Sequence, residues 1–166
     1  MKRLIIVRHA KAEKTQPRGG DANRPLAPRG EDDAVEMGRR LARLKAHPDA
    51  IVTSPAERAL ATAKLIAREL DFPWNEIHTE KSAYLADAAM LLELVRELGD
   101  RVETALLVGH NPGISELAHA LTRNFEQDLP TGEVVTIDLP ADTWAGVKRG
   151  SGSLRSYDYP KYRQAE

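Results

Sequence analysis

The chain has 166 residues, 42% of them hydrophobic and 30% charged, which is the size of one domain able to bury a sizeable core. Its net charge of −1 argues against broad nucleic-acid binding, and its lack of cysteine removes disulfides, thiolate zinc sites and cysteine nucleophiles. No apolar run approaches a membrane span, and the start, Met1-Lys2-Arg3-Leu4, is too short for a secretory signal, so a cytoplasmic location is expected.

In chain order, residues 3–8 form an apolar, β-favouring run that ends in Arg8-His9-Ala10-Lys11. A Pro/Gly/charge-rich stretch from Thr15 to Gly30 reads as a loop within a single domain spanning 1–166. Ala34, Val35, Gly38, Leu41 and Ala42 then repeat at helical spacing, preceded by Glu31-Asp32-Asp33 as first-turn acids. Residues 50–53 form a second apolar run and lead through Ser54-Pro55 into a helix with the stripe Leu60, Ala63, Ile66, Ala67 and Leu70. Ser54 is expected to cap that helix, Pro55 to occupy its first position, and Arg58 to fall in its first turn. His78 falls in a short strand, and Leu91, Leu94, Val95 and Leu98 form a third helical stripe. Residues 104–108 make another buried strand, ending in Gly109-His110-Asn111-Pro112. Asn111-Pro112 repeats the capping device before a helix with Ile114, Leu117, Ala118 and Leu121. The block 133–139 alternates, and a strand near 154–159 pairs with it. Three strands without alternation suit a parallel sheet covered on both faces, and the last two suit an antiparallel edge. The fold class expected is therefore α/β: a three-layer domain with a mostly parallel mixed sheet flanked by helices and an antiparallel C-terminal edge.

In sheets of this class ligands bind beyond the carboxyl ends of the strands, and His9, Arg58 and His110 all fall at or just after such ends. Two imidazoles, at least two guanidiniums and two helix starts then propose one anion-binding pocket. His47, His78 and His119 are expected to be solvated, and Trp74 and Trp144 to serve packing.

The motifs carry a resemblance. Arg8-His9-Ala10-Lys11-Ala12-Glu13 resembles the signature of the histidine phosphatase superfamily, which includes cofactor-dependent phosphoglycerate mutases and many phosphatases. Arg24-Pro25-Leu26 with Arg29-Gly30 is similar to the next block of its short, SixA-type phosphohistidine phosphatase branch. Ser54-Pro55-Ala56-Glu57-Arg58-Ala59, followed by Thr62-Ala63, is similar to the second arginine motif, and Gly109-His110-Asn111-Pro112 to the second histidine motif. Trp144 and the segment from Gly150 to Pro160 resemble that branch's C-terminal hairpin, so the likeness covers nearly the whole chain.

The resemblance implies a phosphoglycerate mutase-like fold and roles for five residues. His9 would attack phosphorus, Arg8 and Arg58 would neutralise phosphate oxygens, His110 would hydrogen-bond an oxygen of the transferring group, and Arg24 would line the pocket. The residue types suit this chemistry. A nucleophilic imidazole must be neutral, and neighbouring arginines should lower the pKa of His9. A second hydrogen bond, from the other ring nitrogen to a backbone carbonyl, should fix the tautomer. Arginine's planar fork spans two phosphate oxygens, so neither a metal nor a cofactor is expected. Larger branches place a proton-donating acid between the arginine and histidine motifs. Here Glu80 and Asp87 flank Tyr84 without a convincing version of that context, which favours a leaving group that is already good, such as the imidazole of phosphohistidine. Residues 55 to 104 hold only a helix, a strand and a helix, with no room for a lid.

The expected function is a metal-free phosphatase working through phosphorylated His9 on a protein phosphohistidine. A small-molecule phosphoester phosphatase is the alternative, and a phosphate-binding module without turnover is the rival from another class. The expected partner is a phosphorylated protein or small molecule, with no nucleic acid, no membrane and a monomeric state.

Overall fold

Leu4, Ile5, Ile6 and Val7 are each no more than 1% exposed, so the first strand is covered on both faces, as its unbroken apolar run requires. The computed structural model describes residues 1–14 and 19–160. Strand β1 (Lys2–Arg8) lies parallel to β4 (Thr104–Gly109) and antiparallel to β5 (Val134–Leu139). Strands β2 (Ala50–Thr53), β3 (His78–Thr79) and β6 (Ser153–Asp158) complete one six-stranded sheet in the order β3-β2-β4-β1-β5-β6. The pairs among β1 to β4 are parallel, and the pairs of β5 with β1 and β6 are antiparallel, so the sheet is mixed with an antiparallel C-terminal edge.

Helices α1 (Pro28–Arg43) and α2 (Glu57–Glu69) cover one face, over Ile5, Val7, Ile51, Leu106 and Val108. Helices α3 (Ala88–Arg96) and α4 (Gly113–Leu121) cover the other, over Leu4, Ile6, Leu107, Val135 and Ile137. The element order is the expected alternation of strand and helix closed by two strands. Trp144 is fully buried and its indole N–H donates to the Val102 carbonyl at 2.7 Å, whereas Trp74 is 68% exposed beside Lys64 and does no core packing.

Three local expectations change. Ser54 and Pro55 lie ahead of α2, which starts at Glu57 with Ala56 at the cap position and no side-chain cap. Pro112 takes the cap position of α4, and Asn111 accepts from the Ser115 amide at 3.3 Å and the Ser115 hydroxyl at 2.7 Å. On α1 the buried stripe is Gly30, Asp33, Ala34, Met37, Gly38 and Leu41, so Asp33 faces inward beside Arg29 while Ala42 is exposed. Of the loop expected over 15–30, residues 15–18 lie outside the described residues. The remainder includes a single 3₁₀ turn, Asp21–Asn23.

Two glycines set the distance between the segment after β1 and its surroundings. A Cβ on Gly30 would lie 2.0 Å from the Lys11 carbonyl oxygen, so no larger residue lets the start of α1 approach that segment. Gly132, at φ +80°, donates its N–H to the carbonyls of both Arg8 and His9 at 3.1 Å. Among the described residues no helix is long and apolar enough to cross a membrane.

Candidate active site

The parallel register pairs Arg8 with Gly109 and Thr53 with Val108, which brings the residues after β1, β2 and β4 to one level. The His9 amide donates to the Gly109 carbonyl at 3.1 Å, and the Ser54 amide to the Val108 carbonyl at 3.2 Å. His9 and His110 therefore face each other with ring centroids 5.2 Å apart. They line a cavity of about 400 Å³ together with Arg8, Arg24, Arg58 and Asp21. All five residues singled out from the sequence meet there. Lys11 is also on its wall, exposed. Cavities of about 490 Å³ beside Leu44 and 510 Å³ beside Trp74 lie elsewhere, and neither holds two facing imidazoles.

His9 is 8% exposed. Its Nδ1 lies 2.8 Å from the Ala10 carbonyl oxygen, which can only accept, so Nδ1 carries the proton and Nε2 keeps its lone pair. The Ala10 amide donates to Thr62 Oγ1 at 3.0 Å, and that hydroxyl donates to the Arg58 carbonyl at 2.8 Å. Thr62 thus ties the segment carrying His9 to the helix carrying Arg58. Burial pushes the His9 pKa down to about 4, with Arg58, Arg8 and Arg24 adding to the shift and the Ala10 carbonyl opposing it. The direction is the expected one, but desolvation outweighs the arginines.

His110 is 3% exposed, and its pKa falls to about 3 through burial, then through His9 and Arg58. Arg58 Nη2 donates to His110 Nδ1 at 3.3 Å, so the neutral ring donates from Nε2 to Ser54 Oγ at 2.7 Å. Ser54 Oγ also accepts from the Ala56 amide at 3.2 Å. The hydroxyl expected to cap a helix instead braces the second imidazole.

Arg58 is 2% exposed on the buried stripe of α2. It donates to the Asp21 carbonyl at 2.8 Å and to the Asp21 carboxylate at 2.9 Å. Arg24 donates to the same carboxylate at 2.9 Å and to the Glu13 carbonyl at 2.8 Å. Arg8 donates from Nη1 to the Leu129 carbonyl at 2.7 Å.

Sequence reasoning missed Asp21 and Tyr84. The Tyr84 hydroxyl donates to the Asp21 carboxylate, and its ring stands edge-on to His110 with centroids 5.5 Å apart. The Tyr84 hydrogen bond, then Arg58 and Arg24, hold the Asp21 carboxyl far below the usual carboxylate range. The spacing of Asp21 three residues before Arg24 was the available signal, but a loop has no periodicity to set it apart. Glu80 accepts from His78 at 2.7 Å, and Asp87 caps α3 through the Met90 amide at 2.9 Å. Neither lines the cavity. Among the described residues no three His, Asp or Glu side chains are placed to hold a metal ion.

A mixed sheet between two helical layers with an antiparallel C-terminal edge is the phosphoglycerate mutase-like fold. The chain belongs to the histidine phosphatase superfamily: residues 4–82 match the model of its branch 1, a stretch that holds His9, Arg24 and Arg58 and stops short of His110. An uncharacterised protein of Mycobacterium tuberculosis is 32% identical over 166 residues, covering 93% of this chain and all of that one. The protein histidine phosphatase SixA, solved with tungstate, superposes with a TM-score of 0.83 at 20% identity, covering 97% of this chain and 99% of SixA. A mycobacterial glucosyl-3-phosphoglycerate phosphatase superposes at 0.68 with 16% identity, over 93% and 97%.

The two lowered histidine pKa values have a kinetic sign. A nucleophilic imidazole must be neutral, so protonation of His9 would remove a nucleophile at this position. The acid limb of kcat/KM is expected near pH 4 rather than near 6.5. A pH–rate profile corrected for the second ionisation of the phosphoryl substrate checks this, and a remaining half-loss of activity at pH 6.5 would contradict it.

Proposed function

We propose that the protein is a phosphatase that works through a covalent phosphohistidine on His9, and that its substrate is a phosphohistidine on another protein, as in the SixA-type branch. The observation that carries the reading is the pair of facing, neutral imidazoles among three arginines, one imidazole with a fixed lone pair.

His9 Nε2 attacks phosphorus. The P–N bond to His9 forms as the bond to the leaving group breaks, and the leaving group departs with the electron pair. Arg8, Arg58 and Arg24 meet the three non-bridging oxygens, where phosphoryl transfer asks for charge and position more than for covalent help. Phosphate draws the Arg58 guanidinium from His110 Nδ1. The His110 proton then exchanges from Nε2 to Nδ1 through solvent, so that Nε2 accepts a hydrogen bond from the Ser54 hydroxyl and Nδ1–H faces a phosphate oxygen. Water attacks phosphorus in the second step, phosphate leaves, and Nε2 recovers its lone pair.

The proton for the leaving group selects the substrate. Asp21 is the carboxyl nearest this chemistry, and it is held ionised by Tyr84 and two arginines, with no proton to give. Glu80 and Asp87 are engaged away from the cavity. An alkoxide leaving group is poorly served by such a site. The imidazole of phosphohistidine needs no acid at the bridging atom, because with its other ring nitrogen protonated from solvent it leaves as neutral imidazole.

Side-by-side turnover of a histidine-phosphorylated protein and small phosphoesters by the purified protein tests this. The phosphoprotein is expected to give the higher kcat/KM. A higher value for a small phosphoester would move the assignment to a small-molecule phosphatase, and tight phosphate binding with no turnover of either would leave a binding module.

A further inference from the structure

Glu133 stands just before β5 and opposite Arg8. The β1–β5 register pairs Val7 with Val134, so the next pair outward is Arg8 with Glu133, and the Arg8 amide donates to the Glu133 carbonyl at 3.1 Å. Side chains directly opposite in an antiparallel pair project from the same face with Cβ atoms roughly 5 Å apart. The side chain of Glu133 is completely buried, and neither carboxyl oxygen has a hydrogen-bond partner. The Nε of Arg8 is also buried and has none. Buried polar groups without partners are rare and costly. Here an unpartnered donor and an unpartnered acceptor of complementary chemistry sit on directly paired residues, one of them lining the pocket. The proposed reaction uses Arg8 and leaves Glu133 without a role.

We propose that Glu133 is a positioning residue for Arg8 that couples oxyanion binding to proton uptake. Its carboxyl accepts the Arg8 Nε–H as the guanidinium moves onto an incoming dianion. The neutral acid leaves the arginine's charge for the ligand, and the carboxylate cancels it. Between the carboxyl's pKa in the free and in the bound protein, binding is then accompanied by uptake of a fraction of a proton from solvent onto Glu133, with no bond broken in the ligand. The inference rests on the cavity being the phosphoryl site.

The electrostatics agree. Burial pushes the Glu133 pKa up to about 8; Arg8 opposes this and Asp158 adds to it. Asp158 belongs to β6 and is itself paired with Arg40 of α1 at 2.9 Å. Asp128, in the connection from α4 to β5, acts on Arg8, and Asp33 of α1 lies near Gly132 with Arg29 3.9 Å away. A dianion against Arg8 adds negative charge close to the carboxyl and favours its acid form. His9 and His110, with pKa values of about 4 and about 3, do not titrate between pH 7 and 9.

Calorimetric titration with tungstate, a dianion across that range, tests the coupling without turnover. The affinity of the native protein is expected to fall about fivefold from pH 7 to pH 9, the part of a tenfold linkage from a one-unit rise in the carboxyl's pKa that falls in this range. Glu133→Gln keeps the shape and cannot ionise, so its affinity should be flat with pH. Titration of the native protein at pH 8 in two buffers of different ionisation enthalpy should show net proton uptake, a readout that needs no variant. The same pH slope in Glu133→Gln, or no proton uptake by the native protein, overturns the inference. Tungstate binding without this linkage overturns it alone, whereas no tungstate binding at any pH overturns the pocket assignment as well.

Discussion

Replacing His9 with alanine is expected to lower turnover of every phosphorylated substrate by at least about 10⁴-fold, the scale seen when a covalent nucleophile is removed. The variant should still fold. His9 is buried, but among the described residues its side chain bonds only to the neighbouring Ala10 carbonyl, and its backbone is held by its own amide donating to Gly109 and its carbonyl accepting from Gly132. Oxyanion binding should survive, because Arg8, Arg24 and Arg58 remain. The pattern that separates a lost nucleophile from a collapsed site is therefore lost turnover with retained tungstate binding and an unchanged circular dichroism spectrum. His9→Ala with more than about 1% of native turnover would remove covalent catalysis from the account.

Arg58→Ala is expected to cost roughly 10² to 10³ in kcat/KM, the range for losing one preorganised donor to developing charge. The size follows from where the guanidinium sits. At 2% exposure it is shielded from solvent, so its field is weakly screened, and it donates directly to His110 at 3.3 Å. It also pairs with Asp21, so its loss leaves that carboxylate, still held by Arg24 and Tyr84, less well neutralised beside the proposed phosphoryl site. Arg58→Lys should recover only part of the activity, because an ammonium is a point charge and cannot span two oxygens. A loss below tenfold in a folded Arg58→Ala protein would contradict this assignment. Steady-state kinetics with folding checked in parallel decides it.

Much of this was legible in the chain itself, for physical reasons. The runs ending at Arg8 and Gly109 are apolar without alternation because both faces of β1 and β4 are covered, and such runs declare central strands. With those strands placed, the residues just beyond their carboxyl ends had to share an edge of the sheet, which brought His9 and His110 into view together. Arg58 was betrayed by its position in the first turn of a helix, where the dipole disfavours a cation. Asp21 and Tyr84 left no such trace. Their partnership spans 63 residues between a loop and an irregular turn, and neither segment has a period that fixes which way a side chain points. Ser54 was legible in position but not in role. Its spacing suits a helix cap as well as a brace, and only the closeness of β2 to β4 hands its hydroxyl to His110. Glu133 was hidden as well. It shares the alternating face of Val135, Ile137 and Leu139, yet an acid at the start of a strand carries no mark of a buried role, and only the ladder to β1 sets it opposite Arg8.

The claim on which the mechanism turns is that the phosphoryl group is carried on the protein between two displacements. Each in-line displacement inverts configuration at phosphorus, so two in succession restore it. Turnover of an isotopically chiral phosphorothioate monoester, with the configuration of the product determined, measures this directly. Net retention is the result expected from transfer through His9. Net inversion would mean that water attacks the substrate in a single step, with no phosphorylated imidazole between.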